Sequence, residues 1–106
     1  MVKSIEFHGH SLKTIRNFPS VVKREVGHQL DRVQRGMNPV DWKPMPSIGK
    51  GVKEIRVQWR GQYRIIIATN HKFSILVLHA FQKKSRKTPS IEIDRARIAL
   101  KRANRR

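Results

Sequence analysis

Residues 78–89, LHAFQKKSRKTP, place an imidazole, an aromatic ring and four basic side chains within twelve positions. They follow an apolar run, so these groups are expected where a strand ends. Beside a phosphate, His79 could transfer a proton near neutral pH, and Lys83 could stabilise the extra negative charge of a pentavalent transition state. Phe81 could stack on a base or complete the core. The lysines alone could equally form a solvated patch that attracts polyanions without specificity.

Two arginines interrupt predicted strands that are otherwise apolar: Arg56 in VKEIRVQW and Arg64 in QYRIIIAT. A tight turn at residues 60–62 predicts antiparallel pairing with residue numbers that sum to about 122. Gln58 would then face Arg64, with Arg56 one pair further along the same polar face. Two guanidiniums on an open sheet face form a fork that can hold a phosphate. The alternative is that carboxylates such as Glu54 neutralise both arginines as ordinary surface charges.

Other chemically suggestive stretches are weak. Phe7-His8-Gly9-His10 offers two histidines without a carboxylate or thiol at ligand spacing. Gly49-Lys50-Gly51 lacks the preceding strand and the following Ser or Thr of a phosphate loop. The chain has no cysteine, and its seven acidic residues are scattered, which excludes thiolate sites and gives no paired carboxylates. We therefore expect no metal site and no cofactor.

The charge of the chain favours polyanionic partners. Twenty-four Lys and Arg stand against seven Asp and Glu, for a net charge of +17. Residues 51–106 alone hold 15 basic and 3 acidic side chains, so the contact is expected in the second half. The basic helices lack bulky aromatic anchors opposite their charge, which disfavours a membrane surface. No stretch is apolar enough to cross a bilayer or to act as a secretory signal, so we expect a cytoplasmic protein.

The hydrophobic periodicity predicts one α+β domain over residues 1–106, with elements in the order β-α-α-β-β-β-α. Predicted strands cover residues 2–8, 52–59, 62–69 and 73–80, and predicted helices begin near Ser11, Pro19 and Thr88. Thr88 is a good N-cap with Pro89 in the first helical position. Prolines and glycines predict a loop over 38–51. We expect an antiparallel meander with the helices packed on one face and the other face partly free.

An ordered series of segments resembles a known family. GVKEIRV, GQYRIII and ILVLHAFQKKSRKTP, followed by a helix beginning IEIDRA, are similar to the Gp49-like, phage-derived branch of the RelE/HigB toxins of bacterial type II toxin–antitoxin systems. Phe18-Pro19 and Gln34-Arg35-Gly36 fit the same pattern, so the resemblance covers nearly the whole chain. Each segment alone is unspecific, whereas their order and spacing are specific.

The resemblance implies a small RelE-like fold that enters the ribosomal A site and cleaves mRNA without a metal, through attack by the ribose 2′-hydroxyl. The implied partners are the ribosome, mRNA and an adjacently encoded antitoxin, expected to carry a helix-turn-helix segment. Operator DNA would be contacted only through the antitoxin, and no membrane is involved.

The resemblance also suggests roles for individual residues. Arg56 and Arg64 would orient the phosphate and stabilise transition-state charge, and His79 and Lys83 would transfer protons. The residues expected to bind RNA are Lys53, Tyr63, Phe81, Lys84 and Lys87. Relatives often carry a tyrosine where this chain has Ile67, which leaves Tyr63 as the only phenol.

Two other functions are compatible with the same residues. A non-catalytic protein that binds nucleic acid or the ribosome needs only the basic charge. A decayed toxin would be retained only as the partner of its antitoxin.

Overall fold

The computed structural model describes residues 2–105 as a five-stranded sheet with three helices. The strands are β1 (Ser4–Phe7), β2 (Trp42–Pro44), β3 (Val52–Gln58), β4 (Gln62–Ala68) and β5 (Ser74–Lys83), and the helices are α1 (Ser11–Arg16), α2 (Ser20–Gln34) and α3 (Ser90–Ala103). The predicted α+β class is confirmed. The short strand β2 was not predicted, because it lies in the proline-rich segment where no periodicity is visible. Within residues 2–105, no helix has the length and apolarity needed to span a membrane.

The sheet has the strand order β1-β5-β4-β3-β2. Strands β2 to β5 form the predicted antiparallel meander, and β1 adds to its far edge in parallel with the first half of β5. The helical hairpin of α1 and α2 carries the chain from β1 at one edge to β2 at the other.

The helices lie on both faces of the sheet, so the prediction that they share one face was wrong. Helices α1 and α2 cover one face through residues such as Val22, Val26 and Leu30. Helix α3 covers part of the opposite face through Ala96 and Ala99. The run of isoleucines in β4 carries the signal for two cores, because a strand buried on both faces is apolar at successive positions.

Helix α3 covers only half of its face. Beneath it lie Ile66, Ala68, Leu76, Leu78 and Phe81. The rest of that face is polar and includes Lys43, Glu54, Arg56, Gln62, Arg64 and Lys83, a set called here the polar half-face. The uncovered region is therefore narrower than the free face that the sequence predicted.

The start of α3 also differs from the prediction. Pro89 occupies the N-cap position and the helix begins at Ser90, one residue later than expected. The hydroxyl of Thr88 makes no capping bond and instead donates to Glu54 Oε2 at 3.0 Å. The hydroxyl of Thr88 therefore binds a buried carboxylate instead of capping the helix.

A bulge in β5 determines which of its side chains face α3. Ile67 pairs with Val77 and Ile66 with His79, so Leu78 is an extra residue in the strand. Before the bulge, odd-numbered residues such as Val77 point to the α1/α2 core. After it, the alternation is reversed. His79, Phe81 and Lys83 therefore face the α3 side.

Candidate functional site

Arg56 and Arg64 lie directly opposite each other on β3 and β4. The pairing sum is therefore 120, and Gln58 faces Gln62 rather than Arg64. Both guanidiniums belong to the polar half-face, in agreement with the predicted fork. The two arginines differ in exposure, because the Arg64 side chain is 8% exposed and that of Arg56 is 38% exposed.

Arg64 is held from several sides. Its Nη1 donates to Gln62 Oε1 at 3.2 Å and to the carbonyl oxygen of Tyr63 at 3.1 Å. Its Nε lies 3.5 Å from Glu54 Oε1. Neither Arg64 Nε nor Glu54 Oε1 has a hydrogen-bond partner among the described residues, so the contact between these two atoms is electrostatic. Arg64 is consequently a positive charge fixed in position at the floor of the half-face.

Arg56 is held at the rim. Its Nε donates to Asp41 Oδ1 at 2.9 Å, and its Nη2 lies 2.7 Å from the same oxygen. Both contacts use Oδ1 of an exposed carboxylate, so solvent screens the pair and makes it weak. Arg56 can therefore exchange this carboxylate for a phosphate at a lower cost than Arg64 could exchange Glu54.

Glu54 is fully buried beneath the half-face, and sequence reasoning missed its central position. Its Oε1 lies 3.5 Å from Arg64 Nε and 3.8 Å from Lys43 Nζ, and its Oε2 accepts from Thr88. A buried carboxylate is costly unless it is paired and hydrogen-bonded, and these three contacts offset that cost. Glu54 therefore joins β2, β3, β4 and the segment before α3 at one point.

Two pKa values on the half-face are shifted. Burial lowers the pKa of the Arg64 guanidinium; Glu54 opposes this shift and the charge of Arg56 adds to it. The pKa of Lys83 is also lowered, first by loss of hydration and then by the positive charge of Arg64. Lys83 therefore gives up its proton more readily than an isolated lysine, which suits a group that transfers protons.

His79 lies at the covered end of the face. Its Nε2 is 2.9 Å from Glu92 Oε1 in the first turn of α3, and its ring stacks on Phe81 at a centroid distance of 5.6 Å. Phe81 is the residue opposite Arg64, and His79 and Lys83 lie two residues to either side of it along β5. Strand position therefore favours neither residue, but the His79 ring is bound to Glu92 on the side of α3.

The predicted RNA-binding aromatic residues are in the cores. Tyr63 is 5% exposed in the α1/α2 core, where its ring meets Phe18 edge-on at 4.8 Å. Phe81 is 6% exposed on the opposite side. Burial leaves Tyr63 no free ring face for a base. For Phe81 the structure agrees with the alternative of core completion.

The predicted RNA-binding lysines divide into two groups. Lys53 lies on the face opposite the arginines, where Nζ donates to Asn38 Oδ1 at 2.7 Å and sits 4.6 Å from the Trp42 ring centroid. Lys84 and Lys87 are exposed in the segment between β5 and α3. Because Thr88 bonds Glu54, this basic segment starts and ends beside the half-face. Lys84 and Lys87 are thus placed to meet a polyanion there, whereas Lys53 is not.

Further residues of the half-face were not predicted as site residues. These are Lys43, Glu54, Gln62 and Thr88. Lys43 lies in a strand with no periodic signal, and Thr88 fits an N-cap pattern. Glu54 carried one usable signal, since a carboxylate two residues before Arg56 in a central strand shares its face.

Two comparisons bear on what this arrangement is. Among curated proteins, none matches the chain at a significant level. Residues 13–101 match the family described as phage-derived protein Gp49-like (DUF891). That span includes all the strands of the meander, helix α2 and most of helix α3. It therefore includes the whole polar half-face. The chain therefore belongs to the Gp49-like family, a branch of the RelE/HigB-like toxins.

Proposed function

We propose that this protein is the toxin of a type II toxin–antitoxin system and cleaves mRNA on the ribosome. The observation that carries the proposal is the facing pair Arg56 and Arg64 on the polar half-face beside α3, with Lys83 on the neighbouring strand. Family membership supports the toxin role, and the net charge of +17 suits an RNA substrate.

The proposed reaction needs no protein nucleophile. The 2′-oxygen of the ribose attacks the adjacent phosphorus and loses its proton to a base. The bond from phosphorus to the 5′-oxygen then breaks, and that oxygen takes up a proton. The products are a 2′,3′-cyclic phosphate and a free 5′-hydroxyl. The protein must therefore hold the phosphate, balance its added charge and move two protons.

The arginines divide the electrostatic work according to how firmly they are held. Arg64 is buried and fixed, so its charge is already in place when the phosphorane forms and needs little reorganisation. Arg56 is more exposed and pairs with a screened carboxylate, so it can turn toward an incoming phosphate. Lys84 and Lys87 would bind the neighbouring backbone phosphates.

Lys83 is the first candidate for proton transfer, and His79 is the second. A lowered pKa increases the neutral fraction of Lys83, and the neutral amine is the form that can accept the 2′-hydroxyl proton. His79 would have to act after release from Glu92. We therefore assign the base to Lys83.

The contacts of the arginines also favour a second function. Arg56 pairs with Asp41 and Arg64 with Glu54, as expected if both are structural charges of a non-catalytic protein that binds nucleic acid or the ribosome. A decayed toxin that only binds its antitoxin is a variant of that alternative. Both alternatives predict that no single arginine is essential for RNA cleavage.

Induced expression in bacterial cells separates these functions. The wild-type chain is compared with Arg64→Lys, Arg64→Ala and the control Arg97→Ala, whose exposed residue on α3 binds Asp94 and the carbonyl oxygen of Ser47, away from the polar half-face. Growth is followed, and a reporter mRNA is mapped by primer extension with and without a translation block. Translation-dependent cuts that persist in Arg97→Ala and vanish in both Arg64 variants are expected. Their absence from a soluble, folded wild-type chain would overturn the proposal.

A further inference from the structure

A second concave site adjoins the arginine pair at the outer edge of β3. It is a groove of about 390 Å³ between β3, helix α2 and the chain that leads into β2. Its walls include Val21, Val40, Trp59 and the carboxylates Glu25 and Asp41. Arg56 lines it as well, so one guanidinium belongs both to the groove and to the polar half-face.

The groove opens there because β2 is short. Its three residues pair with Lys53, Glu54 and Ile55, and the next contact is the amide of Arg56 donating to the Asp41 carbonyl oxygen at 2.9 Å. Beyond that bond, β3 has no partner on its outer side among the described residues. A polymer with a phosphate on the arginines could therefore pass over this edge without displacing a strand.

The lining suits a flat apolar group better than an anion. Val40 is 71% exposed and Val21 44% exposed, and beside them the half-buried ring of Trp59 packs against the core, with the Arg60 guanidinium 4.9 Å from its centroid. Nucleobases bind to surfaces of this kind, because apolar, aromatic and guanidinium groups all contact the face of a base. The volume falls within the range of small-molecule pockets, about 300–1,000 Å³.

The groove is close to neutral in a protein with a net charge of +17. Two carboxylates, Glu25 and Asp41, and two guanidiniums, Arg24 and Arg56, line it, so its formal charges balance. Carboxylates repel phosphate but accept hydrogen bonds from the amino groups of bases. The groove therefore has the chemistry to bind a base, while the half-face has the chemistry to bind the phosphate.

We propose that this groove is a nucleobase subsite for the nucleotide next to the phosphate held by Arg56 and Arg64, and that it prefers amino-bearing bases over uracil. The inference rests on the proposed function for the neighbouring phosphate, but it makes its own prediction about base binding. It gives the protein a source of base preference that lies in its own chain.

Trp59 supplies a direct reporter. The chain has two tryptophans, so in Trp42→Phe the fluorescence comes from Trp59 alone. The probes are 2′-O-methyl RNA trinucleotides, which lack the attacking hydroxyl, with guanine, uracil or an abasic residue at each position in turn. A saturable change in fluorescence is expected with guanine, binding at least about fivefold weaker with uracil, and none with the abasic residue at that position.

Val40→Glu replaces an apolar lining residue by a charge that repels the phosphates of the probe, without touching the core, and Val2→Glu is the matched control at another exposed valine. The fluorescence change should be lost in Val40→Glu and kept in Val2→Glu. Equal responses to abasic and base-containing probes, or no saturable response, would overturn the inference.

Cleavage mapping distinguishes failure of the inference from failure of the proposed function. If the wild-type chain cuts mRNA and Val40→Glu cuts with unchanged base preference, the subsite is wrong and the nuclease stands. If the wild-type chain cuts nothing but the trinucleotides bind with the stated preference, the nuclease is wrong and the base site stands.

Discussion

The hydroxyl of Thr88 donates a 3.0 Å hydrogen bond to the buried carboxylate of Glu54. The bond joins the end of the basic segment after β5 to a strand two positions away in the sheet. It is a tether for Lys84 and Lys87, whose side chains are exposed and gain little order from packing.

Replacing Thr88 by valine should weaken both stability and function. The change keeps the shape and leaves one acceptor oxygen of Glu54 unsatisfied, so unfolding should become easier by about 1–3 kcal/mol in urea titrations. Cleavage should fall by more than the loss of folded protein explains, because the basic segment is released. Ser85→Ala is the control, since that hydroxyl bonds only within the segment, to the carbonyl of Lys87. Equal cleavage by both variants would argue against the tether.

Glu54→Gln should destabilise the chain more than a surface change of the same kind. Arg64 is buried and would lose its balancing charge, and breaking one partner of a buried pair costs about 3–5 kcal/mol. Asp31→Asn is the control, because its partner Arg35 is exposed and solvent screens the pair. Urea unfolding of the two variants makes the comparison. A Glu54→Gln variant as stable as Asp31→Asn would show that Glu54 is not the charge that compensates Arg64.

The cleavage rate should rise with pH in a way that depends on Lys83. The pKa of Lys83 is lowered from the ordinary lysine value of 10.5, so its neutral form appears at a lower pH than that of an isolated lysine. Single-turnover cleavage on programmed ribosomes, followed from about pH 6 to about pH 9, should increase for the wild-type chain. Lys83→Arg keeps the positive charge but cannot lose its proton, so the remaining activity should be flat with pH. A wild-type rate that falls with rising pH would instead make Lys83 the acid.

The same lowered pKa has a consequence for stability. The folded chain binds fewer protons at Lys83 than the unfolded chain when pH lies between the two pKa values, so this residue favours folding more as pH rises through that window. Lys83→Met should remove this contribution to the slope of unfolding free energy against pH. Lys84→Met is the matched control, at an exposed neighbour. Identical slopes for both variants and the wild type would contradict the assignment.

His79 should matter more for the placement of α3 than for the chemistry. Its bond to Glu92 ties β5 to the first helical turn, and its ring is stacked on Phe81. We expect His79→Gln to retain more cleavage activity per folded molecule than Lys83→Met. Amide hydrogen exchange should meanwhile show faster opening of the first turn of α3. Loss of cleavage in His79→Gln as complete as in Lys83→Met, with unchanged exchange, would make His79 the proton-transfer group.

The residues of β3 and β4 explain why the sequence predicted the meander and the arginine fork but not the full site. Strands β3 and β4 carry a clear pattern, and their short turn brings Arg56 and Arg64 together whether the pairing sum is 120 or 122. Tyr63 alternates with Arg64 and so faces the other core, a conclusion that the strand period could have given. The contact of Glu54 with Arg64 agrees with the alternative that a carboxylate neutralises the arginines, whereas its bond from Thr88 could not be predicted, because it joins residues far apart in the chain.

The face of the sheet that α3 covers and the orientation of His79 depend on features that are not visible in local sequence patterns. A strict alternation through Ile75 and Val77 would have placed His79 among apolar neighbours. The extra residue Leu78 changes that outcome, and nothing in the composition of β5 marks its position. The run of isoleucines in β4 indicates burial on both faces, but it does not say which helix covers which face, since α3 can pack on either face with the same apolar residues.

Because of the bulge at Leu78, the pairing register of β5 matters as much as its composition. Successive side chains of a strand point to opposite faces of the sheet, so a shift of the pairing register by one residue exchanges the two sets of side chains. If Leu78 instead took a regular place in the ladder, every chemical group would remain in the chain, but Lys83 would point to the α1/α2 core and Ala80 would lie opposite Arg64. A change of register alone would thus dismantle the polar half-face, with no side chain altered.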